Sequence, residues 1–267
     1  MIALRTKRKA AATDRRTAPT PGSPSPVVRY TKSERTRRQL LIAAAKVFSE
    51  RGYSNTRVSD IVSVVGIHPA SIYYHFPSKD AFVAELLATA VSIGWRVVHL
   101  AVENLPADAS PIEHIATSVY AHMSAVLEVN IFVAAALRII GEVPEDIRKD
   151  FRNLQKEYMD YWDDLLAKAA KSGEIDPDLD IRILRVIIIN AMGGRPEWYT
   201  GRKSLNANKI ADHIMASLIN GITTPKGKRK LDAPELRDTV QRVVKGAIDA
   251  LGPDIARAEE PVSAGLE

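Results

Sequence analysis

The stretch VVGIHPASIYYHFPSK, residues 64–79, concentrates turn-forming residues, aromatic rings and hydroxyl groups in one short segment. Gly66 supplies a positive φ without a Cβ clash, and Pro69 is pre-organised for the first turn of a helix. The pattern therefore predicts two short helices, residues 57–64 and 69–75, that are joined by a tight turn. This is the helix-turn-helix arrangement, which places one short helix against nucleic acid.

Helical spacing places Ile72 and Phe76 on an inward face, so the other faces of the second helix are free for DNA. Small and hydroxyl-bearing side chains suit base edges and thymine methyl groups, and basic or tyrosine side chains suit phosphates. The amides that begin the next helix, at Ser78, can also bind an anion. The predicted DNA-binding residues are Thr56, Arg57, His68, Pro69, Ala70, Ser71, Tyr73, Tyr74, His75 and Lys79.

A longer string, RGYSNTRVSDIVSVVGIHPASIYYHFPSKDAF at residues 51–82, resembles the DNA-binding domain of TetR-type (TetR/AcrR) transcriptional regulators. The resemblance runs from about Glu34 to Leu87. It implies an all-helical homodimer in which a three-helix head binds DNA and a larger body binds a small ligand and dimerises. It also implies that residues at the positions of Thr56, Tyr73, Tyr74, His75 and Lys79 contact DNA. Val62 and Val65 replace the small alanines that are usual in this family.

The chain divides by composition into four predicted segments. They are a disordered basic tail (1–29), a helix-turn-helix domain (30–80), a helical ligand-binding and dimerisation domain (81–225), and a basic linker with an extra C-terminal helix (226–267). Helical periodicity continues through the body, including one long helix at 144–172, and no β pattern is present. The fold class predicted is all-α.

The net charge of +5 is unevenly distributed along the 267 residues. Residues 1–29 carry seven Lys or Arg and one acidic residue, and residues 30–80 carry eight and four. The remaining chain is therefore acidic, which points to a polyanion as the partner of the N-terminal third. For the tail alone, a solvated disordered segment explains the charge equally well.

Several function classes are disfavoured by the residues that the chain has. There is no Cys, and no two of the six His have the i, i+4 spacing of a helical metal site, so we expect no metal and no cofactor. No nucleophile elbow or phosphate-binding loop is present, which argues against an enzyme. No apolar run approaches the ~18 residues of a membrane span. We expect a cytoplasmic protein without membrane contact.

The body carries aromatic and methionine side chains on helices that must pack around one space. A stretch at residues 193–214, GGRPEWYTGRKSLNANKIADHI, is similar to a loop of TetR-type regulators of fatty-acid, steroid or aromatic breakdown. Several such regulators respond to acyl-CoA thioesters, so the resemblance implies an apolar or acyl-CoA-type effector. An ordinary core is the alternative. The predicted ligand-binding residues are Trp95, Met123, Leu127, Phe132, Tyr158, Trp162 and Trp198.

Two apolar-faced helices, residues 179–192 and 206–221, predict a two-fold dimer interface. A dimer would hold two reading helices ~34 Å apart on a pseudo-palindromic operator. The predicted interface residues are Ile183, Val186, Ile187, Asn190, Ile210, His213, Ile214 and Ser217.

Three functions remain open from the sequence. The first is a ligand-responsive dimeric repressor, and the second is an activator or ligand-independent regulator of the same fold. The third is a helical adaptor whose basic tail binds RNA or membrane without specificity.

Overall fold

The computed structural model describes residues 31–129, 131–193 and 206–256 of the chain. Within these ranges every named element is helical, and the one β-type contact is an isolated antiparallel bridge between Ile175 and Thr223. The predicted all-α fold is therefore confirmed. The predicted basic tail lies outside the described residues.

The first three helices form a small unit, called the head below. They are α1 (Lys32–Arg51), α2 (Val58–Val65) and α3 (Pro69–His75). Thr31 and Glu34 form a capping box, in which the Glu34 N–H donates to Thr31 Oγ1 at 3.2 Å. Gly66 ends α2 with a φ of 72°, the left-handed conformation that glycine adopts without strain. The predicted helix-turn-helix is present within a residue of its expected bounds.

The remaining helices form the body. They are α4 (Lys79–Glu103), α5 (Pro111–Ser124), α6 (Ile131–Ile139), α7 (Glu145–Leu154), α8 (Lys156–Lys171), α9 (Ile181–Met192), α10 (Ala207–Ile214), α11 (Asn220–Ile222), α12 (Pro225–Leu231) and α13 (Pro234–Ala256). A π-helical turn, Ala125–Val129, follows α5, and a second one, Met215–Ile219, follows α10.

Helix α4 joins the head to the body. Its first half buries side chains such as Phe82 and Leu86 in the core that the head shares with α6. Its second half buries Val97 and Ala101 in a separate body core. None of residues 91–96, which lie between these two halves, is buried. The two cores therefore meet along one continuous helix whose middle turn belongs fully to neither.

Helix α4 also corrects the sequence prediction about membrane spans. By length and composition it could cross a bilayer, because its most apolar 18-residue window has a mean hydropathy of 1.6. The charged residues Glu85 and Arg96 interrupt its apolar side chains, so no unbroken apolar run marks this helix in the sequence. Its buried side chains pack in the two cores, and this packing accounts for its hydropathy.

The predicted single helix at 144–172 is two helices that meet at Gln155. Helix α7 packs against α4, whereas α8 packs against α5 and α9. No Gly or Pro marks this break, because it follows from packing against different partners.

The predicted basic linker at residues 226–230 is part of helix α12. Thr224 caps this helix by accepting from the Gly227 N–H at 3.3 Å, and Pro225 occupies its first turn. A Cβ at Gly227 would lie 2.1 Å from the main-chain oxygen of Glu174. Glycine is thus required by the close approach of α12 to the end of α8, which the local sequence does not reveal.

The extra C-terminal helix, α13, packs against α4 and α5. Its regular apolar stripe docks on these two helices and is part of the body core. The buried side chains are Leu236, Val240, Val243, Val244, Ala247 and Leu251.

Candidate DNA-binding surface and effector cavity

Helix α3 exposes its two tyrosines to solvent. Tyr73 is 60% exposed and Tyr74 is 84% exposed, although side chains of this size are usually at least half covered. Of the other predicted DNA-binding residues, Arg57, His68 and Ser71 are exposed and His75 is half-buried. Pro69 and Ala70 belong to α3, but their side chains lie outside the described part of the structure. The surface is therefore accessible, and its contacts with DNA stay a prediction.

Two buried side chains anchor α3 from beneath. Ile72 and Phe76 are fully buried, as their spacing predicted. The Phe76 ring stacks on Phe82 of α4, with the ring centroids 3.8 Å apart. This packing fixes which face of α3 points outward, because both anchors lie on the opposite face.

Arg37 of α1 fixes the C-terminal end of α3, and sequence reasoning missed it. It donates to the main-chain oxygen of His75 and forms an ion pair with Glu85 of α4. Its guanidinium also lies 4.1 Å from the centroid of the Phe76 ring. Arg37 thus connects helices α1, α3 and α4. Its partners are distant in the sequence and come together only in the fold.

Two predicted phosphate ligands instead make contacts within the head. Thr56 is buried, and its hydroxyl donates to the Gly52 main-chain oxygen at 2.7 Å, so the prediction for its side chain is corrected. The Lys79 ammonium donates to the main-chain oxygens of Tyr53 and Thr56 at 2.8 and 3.1 Å. It also lies 3.9 Å from the Tyr53 ring centroid. Lys79 thus holds the start of α4 against the loop between α1 and α2, and a phosphate contact must compete with these bonds.

Glu142, just beyond α6, holds the same loop from the body side. Its carboxylate accepts from the Ser54 N–H at 3.0 Å and pairs with Arg138. The hydrogen bond from Ser54, together with Arg138, keeps the pKa of Glu142 below its ordinary value. A Cβ at Gly52 would lie 2.7 Å from this carboxylate, so the glycine permits the contact. Head and body are thus joined by polar contacts as well as by α4.

A cavity of about 120 Å³ lies in the body beside the middle turn of α4. A single water needs about 10–15 Å³, so the cavity has room for on the order of ten non-hydrogen atoms. Helices α4 to α9 and the π-helical turn after α5 all contribute to its wall. Gly94 and Trp95 come from α4, so the helix that begins at the head also lines the cavity.

The polar groups that the described residues contribute to the cavity wall are few and uncharged. His122 Nδ1 lies 2.8 Å from the Tyr158 hydroxyl, and the two rings are stacked with centroids 5.7 Å apart. Burial lowers the pKa of His122 to about 4, and burial also raises the pKa of Tyr158. Both rings are therefore neutral near pH 7. Among the described lining residues there is no Asp, Glu, Lys or Arg.

The structure brings together only part of the predicted ligand-binding set. Trp95 and Tyr158 line the cavity, but the other described residues of that set do not. Trp162 and Met123 are buried in the body core, and Phe132 is buried in the core shared by α6 and the head. Leu127 packs between the two cores. These four are core residues, which helical spacing alone cannot distinguish from a cavity wall. Trp198 lies outside the described residues.

The predicted dimer residues fall into two groups. On α9, Ile183, Val186 and Ile187 are 61%, 51% and 47% exposed, and Asn190 is exposed beside them. The opposite side of α9 is buried, and Arg185 pairs with Asp163 of α8 at 2.7 Å, so the rotation of α9 is fixed.

Helix α10 corrects part of this prediction. His213 is exposed and Ser217, just beyond the helix, is exposed as well. Ile210 and Ile214 are buried within their own chain, so they have little surface to offer a partner. The apolar side of α10 packs on α5, which uses those two side chains for the body core.

An exposed helix-turn-helix on a helical body with an apolar cavity defines the class: a DNA-binding regulator with a ligand-binding domain. Two family models match the chain. Residues 40–86 match "Bacterial regulatory proteins, tetR family", and residues 108–222 match "Tetracyclin repressor-like, C-terminal domain".

The chain is also similar to proteins of known name. It is 30% identical to the transcriptional repressor KstR2 of Mycobacterium tuberculosis, over 70% of this chain and 92% of the relative. The structure of that ketosteroid regulator superposes with a TM-score of 0.61, at 26% identity over 71% of this chain and 95% of the other.

Two further solved structures share the fold. AibR in complex with isovaleryl coenzyme A and operator DNA has a TM-score of 0.62 at 20% identity, covering 69% of this chain and 98% of AibR. FadR of Bacillus subtilis in complex with stearoyl-CoA has a TM-score of 0.58 at 22% identity, covering 69% of this chain and 98% of FadR.

The chain belongs to the TetR family of bacterial transcriptional regulators. The prediction of a helix-turn-helix transcriptional repressor with a helical ligand-binding body is confirmed. The second family model ends at residue 222, before α12 and α13.

Proposed function

We propose that the protein is a cytoplasmic homodimeric repressor that a small apolar effector, carried as a CoA thioester, releases from its operator. The observation that carries this proposal is the course of α4. The helix begins at Lys79 beside the DNA-binding motif and lines the cavity with Gly94 and Trp95. A ligand in the cavity therefore contacts the element that orients α3.

The size and chemistry of the cavity support an acyl or ring-shaped group. With room for on the order of ten non-hydrogen atoms, the cavity can take the acyl part of a thioester while the coenzyme stays outside. AibR and FadR were solved with isovaleryl coenzyme A and stearoyl-CoA, and KstR2 is named as a ketosteroid regulator. The two thioesters share an apolar group next to a carbonyl group.

The exposed apolar stripe of α9 supports the dimer. Ile183, Val186 and Ile187 form one strip on a helix whose other side is buried. A second copy of the chain would cover this strip across a two-fold axis, since such an interface pairs a surface with itself. The dimer would place two copies of α3 in successive major grooves.

Release needs only a modest preference of the effector for one conformation. A preference of about 1–3 kcal/mol for the shape that fits DNA poorly weakens operator binding by about 5- to 150-fold. A change in the tilt of α4 would alter the spacing of the two α3 helices, which is a common route of switching. No catalytic step is part of this proposal.

The test is a fluorescence-polarisation titration of the full chain against DNA from upstream of its own gene. We expect saturable, sequence-selective binding by a dimer, weakened by isovaleryl-CoA, whose acyl group fits the cavity, and unaffected by free coenzyme A. Tighter operator binding in the presence of a thioester would support the activator alternative instead. Equal affinity for any duplex, lost on deletion of residues 1–29, would support the adaptor alternative and contradict the proposal.

A pair of glycine substitutions tests whether the effector occupies the cavity. A Cβ at Gly94 or at Gly246 would meet no atom within 4 Å, and both residues are in helices. Alanine at either position should stabilise its helix by about 0.5–1 kcal/mol. Only Gly94 lines the cavity, so Gly94→Ala should weaken thioester response whereas Gly246→Ala should not. Equal responses of the two variants would place the effector elsewhere.

A further inference from the structure

We infer that His122 and Tyr158 form a neutral hydrogen-bonding pair that makes the cavity selective for ligands with an uncharged oxygen acceptor. The preferred class is a ketone or thioester carbonyl on a small apolar group, and free carboxylates are excluded. The inference deepens the proposed function, because it names the chemistry that the same cavity selects.

The geometry of the pair leaves one donor over in either tautomer. A neutral imidazole has one N–H, and tyrosine has one O–H, so the pair has two donors. The single hydrogen bond between Nδ1 of His122 and the Tyr158 hydroxyl uses one of them. If Tyr158 donates, the Nε2–H of His122 remains; if His122 donates, the Tyr158 O–H remains. The described residues supply no second acceptor for either ring.

The surroundings hold this pair in place. The Trp95 ring packs against Tyr158 with centroids 5.3 Å apart and planes inclined by 62°. The His122 and Tyr158 rings are almost parallel, inclined by 10°. Both residues line the cavity, so a ligand within it lies against this pair.

The part of the cavity wall that the structure describes lacks the cation that a carboxylate would need. Gln155 and Trp95 carry the other hydrogen-bonding side chains of the described wall, both uncharged, and no described lining residue is a cation. A carboxylate loses its water on entry, and a neutral donor returns only part of that hydration energy. A neutral carbonyl loses less hydration energy on entry, and it accepts a hydrogen bond from the unused donor. This bond also removes the cost of leaving that donor without a partner.

Three ring compounds of similar size separate these properties. Cyclohexanone has a carbonyl acceptor, methylenecyclohexane has the same shape without an acceptor, and cyclohexanecarboxylate carries the charge. Binding to the full chain at pH 7 is measured for each by ligand-observed NMR titration. We expect cyclohexanone to bind about tenfold more tightly than methylenecyclohexane, as one hydrogen bond of about 1.4 kcal/mol implies. We expect no saturable binding of the carboxylate.

Substitutions assign this preference to the pair. The double variant His122→Phe/Tyr158→Phe keeps an aromatic ring at both positions but removes both donors. In this variant the preference for the ketone should disappear. Tyr158→Phe alone keeps the imidazole N–H and should retain part of the preference for the ketone. His99→Phe is the matched control, because His99 also contacts Trp95 but is exposed and does not line the cavity. Circular dichroism verifies that each variant is folded.

Three outcomes would overturn the inference. They are equal affinity for the ketone and the alkene, tightest binding of the carboxylate, and an undiminished ketone preference in the double variant. Absence of binding by all three compounds would also overturn it, since the cavity would then take no small neutral ligand. None of these measurements involves coenzyme A or DNA, so failure here is distinguishable from failure of operator release.

Discussion

Helices α3 and α9 both expose large side chains, and these side chains differ in chemistry. Helix α3 exposes tyrosines, which combine a ring with a hydroxyl, and basic residues lie near them. Helix α9 exposes the purely aliphatic side chains Ile183, Val186 and Ile187. A hydroxyl-bearing ring can exchange water for base edges and phosphates, whereas an aliphatic strip gains only by removal from water. The first surface therefore suits DNA and the second suits another protein chain.

Salt should separate the two surfaces most strongly. Phosphate contacts release counterions, so raising the salt from about 50 to about 200 mM should weaken operator binding about a thousandfold if six or more phosphates are neutralised. Burial of an aliphatic strip releases no counterions, so the dimer should persist over this range. Polarisation titrations and sedimentation velocity at the same salt concentrations check both expectations. If operator binding and dimerisation weakened together with rising salt, charged contacts would be stabilising the dimer.

A charge placed on α9 should disrupt the dimer and, through it, DNA binding. Ile187→Asp would bury a carboxylate in the interface, and loss of the second reading helix should weaken operator binding about a hundredfold. Leu154→Asp on α7 is the matched control, because Leu154 is also an exposed leucine-sized residue but lies outside this strip. A dimeric Ile187→Asp variant with normal operator affinity would rule out α9 as the interface.

Removal of one ring from α3 should affect DNA binding alone. Tyr73→Ala is expected to weaken operator binding about tenfold, because a lost base contact costs about 1–3 kcal/mol, while dimer mass stays unchanged. Tyr73→Phe separates the hydroxyl from the ring. An unaltered affinity for Tyr73→Ala, measured by polarisation, would show that α3 does not read DNA with this residue.

The smallest expected effect is that of Lys79→Met on operator affinity. The salt dependence of that affinity shows whether Lys79 contacts a phosphate. Since the ammonium holds the α1–α2 loop, loss of it should lower head stability and weaken DNA binding a few fold without changing the salt slope. A lysine that neutralises a phosphate would instead reduce that slope by about 1. The slope of affinity against salt concentration therefore distinguishes a positioning lysine from a phosphate ligand.

The sequence was informative where the cause of a structure is local. Gly66, Pro69 and the Thr31–Glu34 capping box act within a few residues of themselves, and each predicted element end was found. It was uninformative where the cause is distant. The α7–α8 break follows from packing partners, and α12 depends on Gly227 meeting Glu174.

The same distinction applies to the site residues. Periodicity identified Tyr73 and Tyr74 as outward-facing, because the anchors Ile72 and Phe76 lie on the same short helix. It could not separate Trp162, a core residue, from Tyr158, which lines the cavity one turn away. In the sequence, His122 lacks the spacing to another histidine that a metal site needs. Only the fold shows that the Tyr158 hydroxyl lies beside it.

The unburied middle turn of α4 has a consequence for mechanical stiffness. Residues 91–96 include Gly94, which is a weak helix former, and Val91, Gly94 and Trp95 among them line the cavity. An unfilled cavity leaves this turn without packing on one side, so bending is easiest there. An occupant supplies the missing contacts and narrows the range of head orientations, which couples binding to conformational entropy even where the average structure is unchanged.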